Sequence, residues 1–152
     1  MFNCFIMYFR SGCPISNLVD LVGDKWSLLV IRDLFSNKST FKEFMNSSEK
    51  IATNILSNRL KTLTIDGIID FAFKKDNKKT KHYFLTDRGI DLYPILYEMS
   101  MWSSRNLDVK FNSIASEWFD KNKNLDGVGV IDRTISNYKI IRKDLLNLTN
   151  PE

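Results

Sequence analysis

The chain has 152 residues, 43% of them hydrophobic, which suffices for one domain with a full core plus an appendage and excludes a chain disordered throughout. Two cysteines, Cys4 and Cys13, and a single histidine, His82, exclude a disulfide framework and a four-ligand zinc site, and no apolar stretch is long enough for a membrane-spanning helix. The formal net charge of +4 equals that of one short stretch, Lys74 to Lys81, which holds five lysines and one aspartate, so the remaining residues sum to zero.

In chain order, residues 1–12 form an apolar arm that lacks the basic start of a signal sequence, and the protein reads as cytoplasmic. Pro14 suits the first turn of a helix to Val22 with Leu18, Leu21 and Val22 inward; Gly23 breaks it and Asp24 caps the next. That next helix, Lys25 to Phe35, is predicted as the central core helix. Trp26, Leu29, Val30, Leu34 and Phe35 carry its stripe, which Leu28 and Ile31 widen. After a turn at 36–39, Thr40 caps a short helix from Phe41 to Asn46. A helix from Thr53 to Asp66 follows, buried through Leu56, Leu60 and Leu63; at about 100° per residue, Asn54, Ser57, Asn58 and Lys61 fall opposite, with Thr53 at the margin. Two short helices and a brief link, the second helix polar-faced and free of acids, form a helix-turn-helix.

Gly67 fits the position after the helix end, Ile68 to Lys74 reads as a strand, Asp76-Asn77 as a turn, and Lys81 to Leu85 as the returning strand. Thr86 and Asp87 cap a long helix holding Ile90, Tyr93, Leu96, Met99 and Trp102, which Pro94 kinks or divides. Beyond residue 107, Phe111 to Phe119 and Ile131 to Leu148 look like two amphipathic helices around a loop at 122–129. This tail is too short for an independent domain and is predicted to pack on the body or on a second subunit. The fold class is mainly α (α+β): a winged helix-turn-helix with a two-stranded basic wing and extra helices at both ends that serve dimerisation. The arm is 1–12, the DNA-binding domain with its dimerisation helix 13–107, and the helical extension 108–152.

Cys13-Pro14, Gly23-Asp-Lys-Trp26, Phe41-Lys-Glu-Phe44, Ile51 to Leu60, Asp66-Gly-Ile-Ile69 and Leu85-Thr-Asp-Arg-Gly89 together resemble, in register, the HxlR-type (MarR-like) winged helix-turn-helix transcriptional regulators. The resemblance covers Cys13 to Trp102 and implies a homodimer on a palindromic operator, with the second helix of the motif in the major groove and the wing over the backbone or minor groove. Two departures stand out. Asp24 replaces a second glycine usual in the family, expected to affect only the helix junction, and the tail runs on where most members end.

The residues expected to meet DNA are Thr53, Asn54, Ser57, Asn58, Arg59 and Lys61 of the polar-faced helix and Lys74, Lys75, Lys78, Lys79 and Lys81 of the hairpin. Asn pairs with adenine edges, Ser and Thr with several bases, and Lys with guanine or phosphate. Arg59, at the flank of the buried stripe, either contacts phosphate or braces the next helix. The hairpin lysines attract phosphate, or guard the hairpin against edge pairing, or both. Cys13, before a helix start and near Arg10, is either a reactive thiol or an idle one; family members that sense oxidants or electrophiles imply the former role, with Cys4 a possible partner. Trp26, Trp102, Phe111 and Trp118 line a ligand cavity or serve as core and interface, and His82 is structural or phosphate-facing. A small-molecule effector has no support in the sequence.

The function read from the sequence is that of a sequence-specific transcriptional regulator, a homodimer on an inverted repeat of double-stranded DNA, redox- or electrophile-responsive through Cys13. The alternative is a winged-helix interaction module for an acidic protein. No His–carboxylate pair, nucleophile motif, phosphate-cradling glycine loop or metal cluster supports an enzyme or a cofactor.

Overall fold

Prolines, capping side chains and one left-handed glycine mark many of the helix boundaries. The computed structural model describes residues 9–149; the first eight residues, with Cys4 and most of the expected arm, and residues 150–152 lie outside the described residues. Helix α1 is Pro14–Val22, with proline in its first turn and the Gly23 amide donating to the Val19 carbonyl at its end (2.8 Å). Helix α2, Ser27–Phe35, starts later than the expected Lys25. Asp24 Oδ1 accepts from the amides of Trp26 (2.8 Å) and Ser27 (3.0 Å), and Oδ2 from the Ser27 hydroxyl, which keeps residues 24–26 in a turn ahead of the helix. Helix α3, Phe41–Met45, carries a capping box: Thr40 Oγ1 accepts from the Glu43 amide, and Glu43 Oε2 accepts from the Thr40 amide (2.8 Å). Helix α4, Thr53–Ile65, ends at Gly67 with φ +68°, where the Ile68 amide donates to Leu63 (2.9 Å) and the Gly67 amide to Thr64 (3.1 Å), the paired bonds of a Schellman motif.

Strand β1, Ile69–Lys74, pairs antiparallel with β2, Asn77–Leu85, placing Ile69 opposite Leu85 and Phe73 opposite Lys81. The second strand begins at Asn77 rather than Lys81, and Lys75-Asp76 make the turn. The register shifts after Phe73 so that Lys74 faces Asn77, whose side chain accepts from the Lys79 amide (3.0 Å) and donates to Thr80 (3.2 Å), holding the extra residues in place. Pro94 divides the long helix expected after Thr86. The pieces are α5, Asp87–Ile90, and α6, Tyr93–Asn106, with the proline in the first turn of α6, where a missing N–H breaks no helical bond. Gly89 lets α5 approach the end of α4, since a Cβ there would stand 2.1 Å from the Ile68 carbonyl oxygen. Helix α7 is Ser113–Asn122. Helix α8, Gly127–Asn147, begins before the expected Ile131 because Asp126 Oδ1 accepts from the Gly129 amide (2.7 Å) and supplies the cap.

The core gathers Ile31, Leu34, Phe44, Leu56, Leu60, Leu63, Ile69 and Leu85. Ile31, expected only to widen a stripe, is wholly buried, whereas Leu28 and Leu29 are half-buried. The tail packs on the body. Tyr138 of α8 is 4% exposed, its ring centroid lies 5.0 Å from that of Phe35, and its hydroxyl accepts from the Leu85 amide (2.9 Å). Val130, also of α8, is buried with Tyr93 and Tyr97 of α6.

One buried charge ties α2 to the link between α3 and α4. Asp33 accepts from Arg32 (2.8 Å), Lys38 (3.1 Å) and the Ser47 hydroxyl, while Arg32 forks onto Glu49 at 2.6 and 3.0 Å. The Arg32 guanidinium holds the Glu49 carboxyl well below its ordinary 4.5, at about 2. A carboxyl lowered on folding stabilises the fold fully above its unfolded value and loses that contribution as the pH falls through the folded one. Glu49→Gln is therefore expected to flatten the acid limb of stability between pH about 4.5 and about 2, read by urea unfolding across that range. The change will be modest because both partners are about one-third exposed, and an acid limb equal to wild type would show that the pair contributes nothing.

Candidate nucleic-acid interface

Three leucines hold α4 by one side. Leu56, Leu60 and Leu63 are buried, and Thr53, Asn54, Ser57, Asn58 and Lys61 are all exposed on a helix that contains no acid. Arg59 lies at the flank, and its Nη1 donates to Asp24 Oδ2 at 3.1 Å, a brace to the turn ahead of α2 rather than to the next helix. Burial alone would raise the Asp24 carboxyl, but bonds from Ser27, Trp26 and Arg59 outweigh it and leave the group below its ordinary value. Asp24 thus reaches beyond the junction of α1 and α2, where its effect was expected to stop, and clamps the outer side of α4.

On the wing, Lys75, Lys78, Lys79 and Lys81 are exposed, and Lys74 is half-buried where its strand meets Thr149. Lys81 Nζ stands 3.9 Å from the centroid of the Phe71 ring, a cation–π contact that steers the ammonium along the sheet face. A groove of about 740 Å³ opens between the start of α3 and the wing. Phe41, Phe73 and Tyr83 line it together with Lys42, Lys78, Lys79 and Lys81, and no acid does. Lys42 is absent from the sequence-derived set. Its only linear sign is its place two residues after the Thr40 cap, and nothing in the spacing joins it to a hairpin far later in the chain.

His82 takes the structural alternative. It is buried, and its Nδ1 lies 3.1 Å from Ser39 Oγ. Burial, then the nearby Lys74, pushes its pKa down from 6.5, so the ring is neutral at neutral pH. Cys13 is exposed at the start of α1, with its amide donating to Ser11 Oγ (3.2 Å). Arg10, expected beside that thiol, instead pairs with Asp20 at 2.8 Å. The four aromatics considered for a cavity are distributed: Trp26 packs on the core, Trp118 on Tyr97, Phe111 on Phe119, and Trp102 is 55% exposed.

The family model described as HxlR-like helix-turn-helix matches residues 21–111. The chain is 31% identical over 97 residues to the uncharacterized HTH-type transcriptional regulator YdeP of Bacillus subtilis (strain 168), a match covering 64% of this chain and 76% of YdeP. Among solved structures, PA1607 superposes with a TM-score of 0.61 at 32% identity over 68% of this chain and 72% of its own. The redox regulator HypR in its oxidized form superposes at 0.57 and 31% identity, with 64% of this chain matching 100% of HypR. Helices α7 and α8 lie beyond the span of the family model.

Because Asn54, Ser57 and Lys61 are exposed and the leucine stripe and the Arg59–Asp24 contact hold the helix from elsewhere, Asn54→Ala, Ser57→Ala and Lys61→Ala are each expected to leave stability within about 0.5 kcal/mol of wild type. Equilibrium urea unfolding of the three variants checks this. A loss well beyond that figure would mean that the face is engaged within the protein and is not free for a partner.

Proposed function

The chain belongs to the HxlR-like helix-turn-helix family of DNA-binding transcription regulators, not enzymes, and on that premise we propose that it acts as a homodimer on an inverted-repeat operator, with Cys13 as an oxidant-sensing thiol. The observation that carries the reading is the acid-free polar face of α4 in a chain that also has a lysine-lined groove between α3 and the wing. On this reading Thr53, Asn54, Ser57, Asn58 and Lys61 meet base edges and adjacent phosphates. Arg59, Lys74, Lys75, Lys78, Lys79 and Lys81, joined by Lys42, supply charge to the backbone. The DNA-binding unit runs from 13 to 107, and the extension from 108 completes it.

Exposed apolar side chains support a second copy: Ile15 and Val19 on α1, Met99 and Trp102 on α6, and Ile114 on α7, the last 77% exposed. Two-fold symmetry then sets the half-sites about one helical turn apart, roughly 34–36 Å. Among the described residues no helix is long and apolar enough to cross a membrane. On this reading the regulator works in the cytoplasm, where thiols are held reduced. Support for the thiol switch comes from the exposure of Cys13 at a helix start and from the similarity to HypR, a redox regulator. Oxidation would join two Cys13 thiols across the dimer as a disulfide, the oxidant taking up the two electrons and two protons released.

A salt-dependent titration on the DNA upstream of this chain's gene, against scrambled DNA, tests the regulator. Binding preferred on the native sequence is expected, with log affinity falling about 0.9 per log unit of salt for each phosphate contact, and the double variant K78A/K79A is expected to reduce that slope by about 1.8. Equal affinity for scrambled DNA would remove the proposal of a specific operator.

The switch has a separate test. Diamide, which accepts the electrons and protons, is expected to weaken operator binding by wild type and to leave Cys13→Ser unaffected. A response that persists in Cys13→Ser would end the assignment to this thiol.

A further inference from the structure

Helix α8, outside the span of the family model, grips the wing at two places. At the foot, both main-chain groups of Leu85 turn to it: the amide donates to Tyr138 Oη (2.9 Å), and the carbonyl accepts from Arg142 Nη1 (3.0 Å). The second guanidinium nitrogen, Nη2, donates to Asp87 Oδ1 at 2.7 Å, so one side chain spans the end of β2 and the start of α5. Near the turn, the Lys75 amide donates to the Leu148 carbonyl (3.1 Å), and Lys74 and Thr149 form an antiparallel bridge.

The spacing of the two grips matches. From Arg142 to Leu148 a helix advances about 9 Å, and about 15 Å from Tyr138, while the hairpin from foot to turn covers roughly 17 Å. The helix, with Leu148 and Thr149 just past its end, therefore meets the hairpin both at its foot and near its turn. A two-stranded hairpin is marginal when unsupported, and a hairpin hinged only at its foot would sample many angles to α4. The Tyr138 hydroxyl and the Arg142 fork fix the helix to the foot, which lets Leu148 and Thr149 just past its end hold the hairpin near its turn and limit that freedom, beside the tie from the Tyr83 amide to the Ser39 carbonyl. Tyr138 is anchored in turn by Phe35 on α2, so the wing is referenced to the same core that seats α4.

We propose that α8 is a splint for the wing, with Tyr138 and Arg142 as positioning residues that fix the angle at which the hairpin lysines meet a phosphate backbone. The proposal rests on the reading of the wing as a DNA contact. It assigns to the extension a part in DNA recognition, exerted through the wing's main chain and without a base contact of its own.

The experiment compares full-length wild type, the double variant Y138F/R142Q and the control K78A/K79A, each folded by circular dichroism. Amide hydrogen exchange is read in the free protein, and binding to a random duplex of about 30 base pairs is read across salt, where phosphate contacts dominate. The expected result for Y138F/R142Q is exchange about tenfold faster over residues 70–84, unchanged exchange in α4, and a salt slope lower by about 1 to 2. R142K, which keeps the charge beside Asp87 but loses the fork, is expected to fall between the two; it also serves if the double variant does not fold. If K78A/K79A lowers the slope while Y138F/R142Q matches wild type in exchange and slope, the splint is overturned and the wing's DNA contact stands. If Y138F/R142Q loosens the hairpin without changing the slope, the positioning role is likewise overturned. If K78A/K79A leaves the slope unchanged, the wing does not touch phosphate and the proposal falls with that reading.

Discussion

A helix that must keep one whole face free can be held only by the other, and that constraint governs everything around α4. Its sequence is rich in Thr, Asn and Ser, which are weak helix formers, and Ala52 offers no side-chain cap at its start. Stability has to come from outside. Leu56, Leu60 and Leu63, almost wholly removed from water, supply it at about 1.5–3 kcal/mol for each buried side chain. The Schellman bonds through Gly67 then stop the helix where β1 must begin, and Asp24 holds the flank through Arg59. The direction in which the polar face points is a property of its neighbours.

The same framework sets the wing. Asp33 is tolerated out of water because Arg32, Lys38 and Ser47 all meet it, and together they fix the segment leading into α3 against α2. From that segment the Ser39 carbonyl accepts from the Tyr83 amide at 2.7 Å, so β2 is tied to the chain just before the helix-turn-helix. Phe44 of α3 and Tyr83 of β2 add an aromatic contact with centroids 6.2 Å apart. The groove that unites Lys42 with the wing lysines is the open end of this joint. Its charge is assembled from two elements, and its shape from the hydrogen bonds between them.

Local signals made much of this legible. Pro14, Thr40 and Gly67 each mark a boundary through a mechanism that acts within a few residues, and α1, the start of α3 and the end of α4 lie where they indicate. The leucine stripe predicted the exposed side of α4 because a 3.6-residue period needs no tertiary information. What periodicity missed was decided at a distance. Ser27 and Asp33, polar residues outside the predicted stripe, are buried because a capping bond and an ion cluster compensate their polarity. The early start of β2 depends on the side chain of Asn77 bonding within its own turn. The attachment of the tail rests on Tyr138 finding Leu85, a pairing no spacing rule contains.

That pairing also orders events in time. Tyr138 follows Leu85 by 53 residues, so a chain emerging at about 5–20 residues per second presents its whole wing roughly 3–10 s before the side chain that caps it. Through that interval Phe35 lacks one aromatic neighbour, and the Leu85 amide has only water to bond. The surface elements are complete before the interior is closed, and the nascent protein acquires its exposed polar helix and lysine hairpin before the side chain that packs behind them.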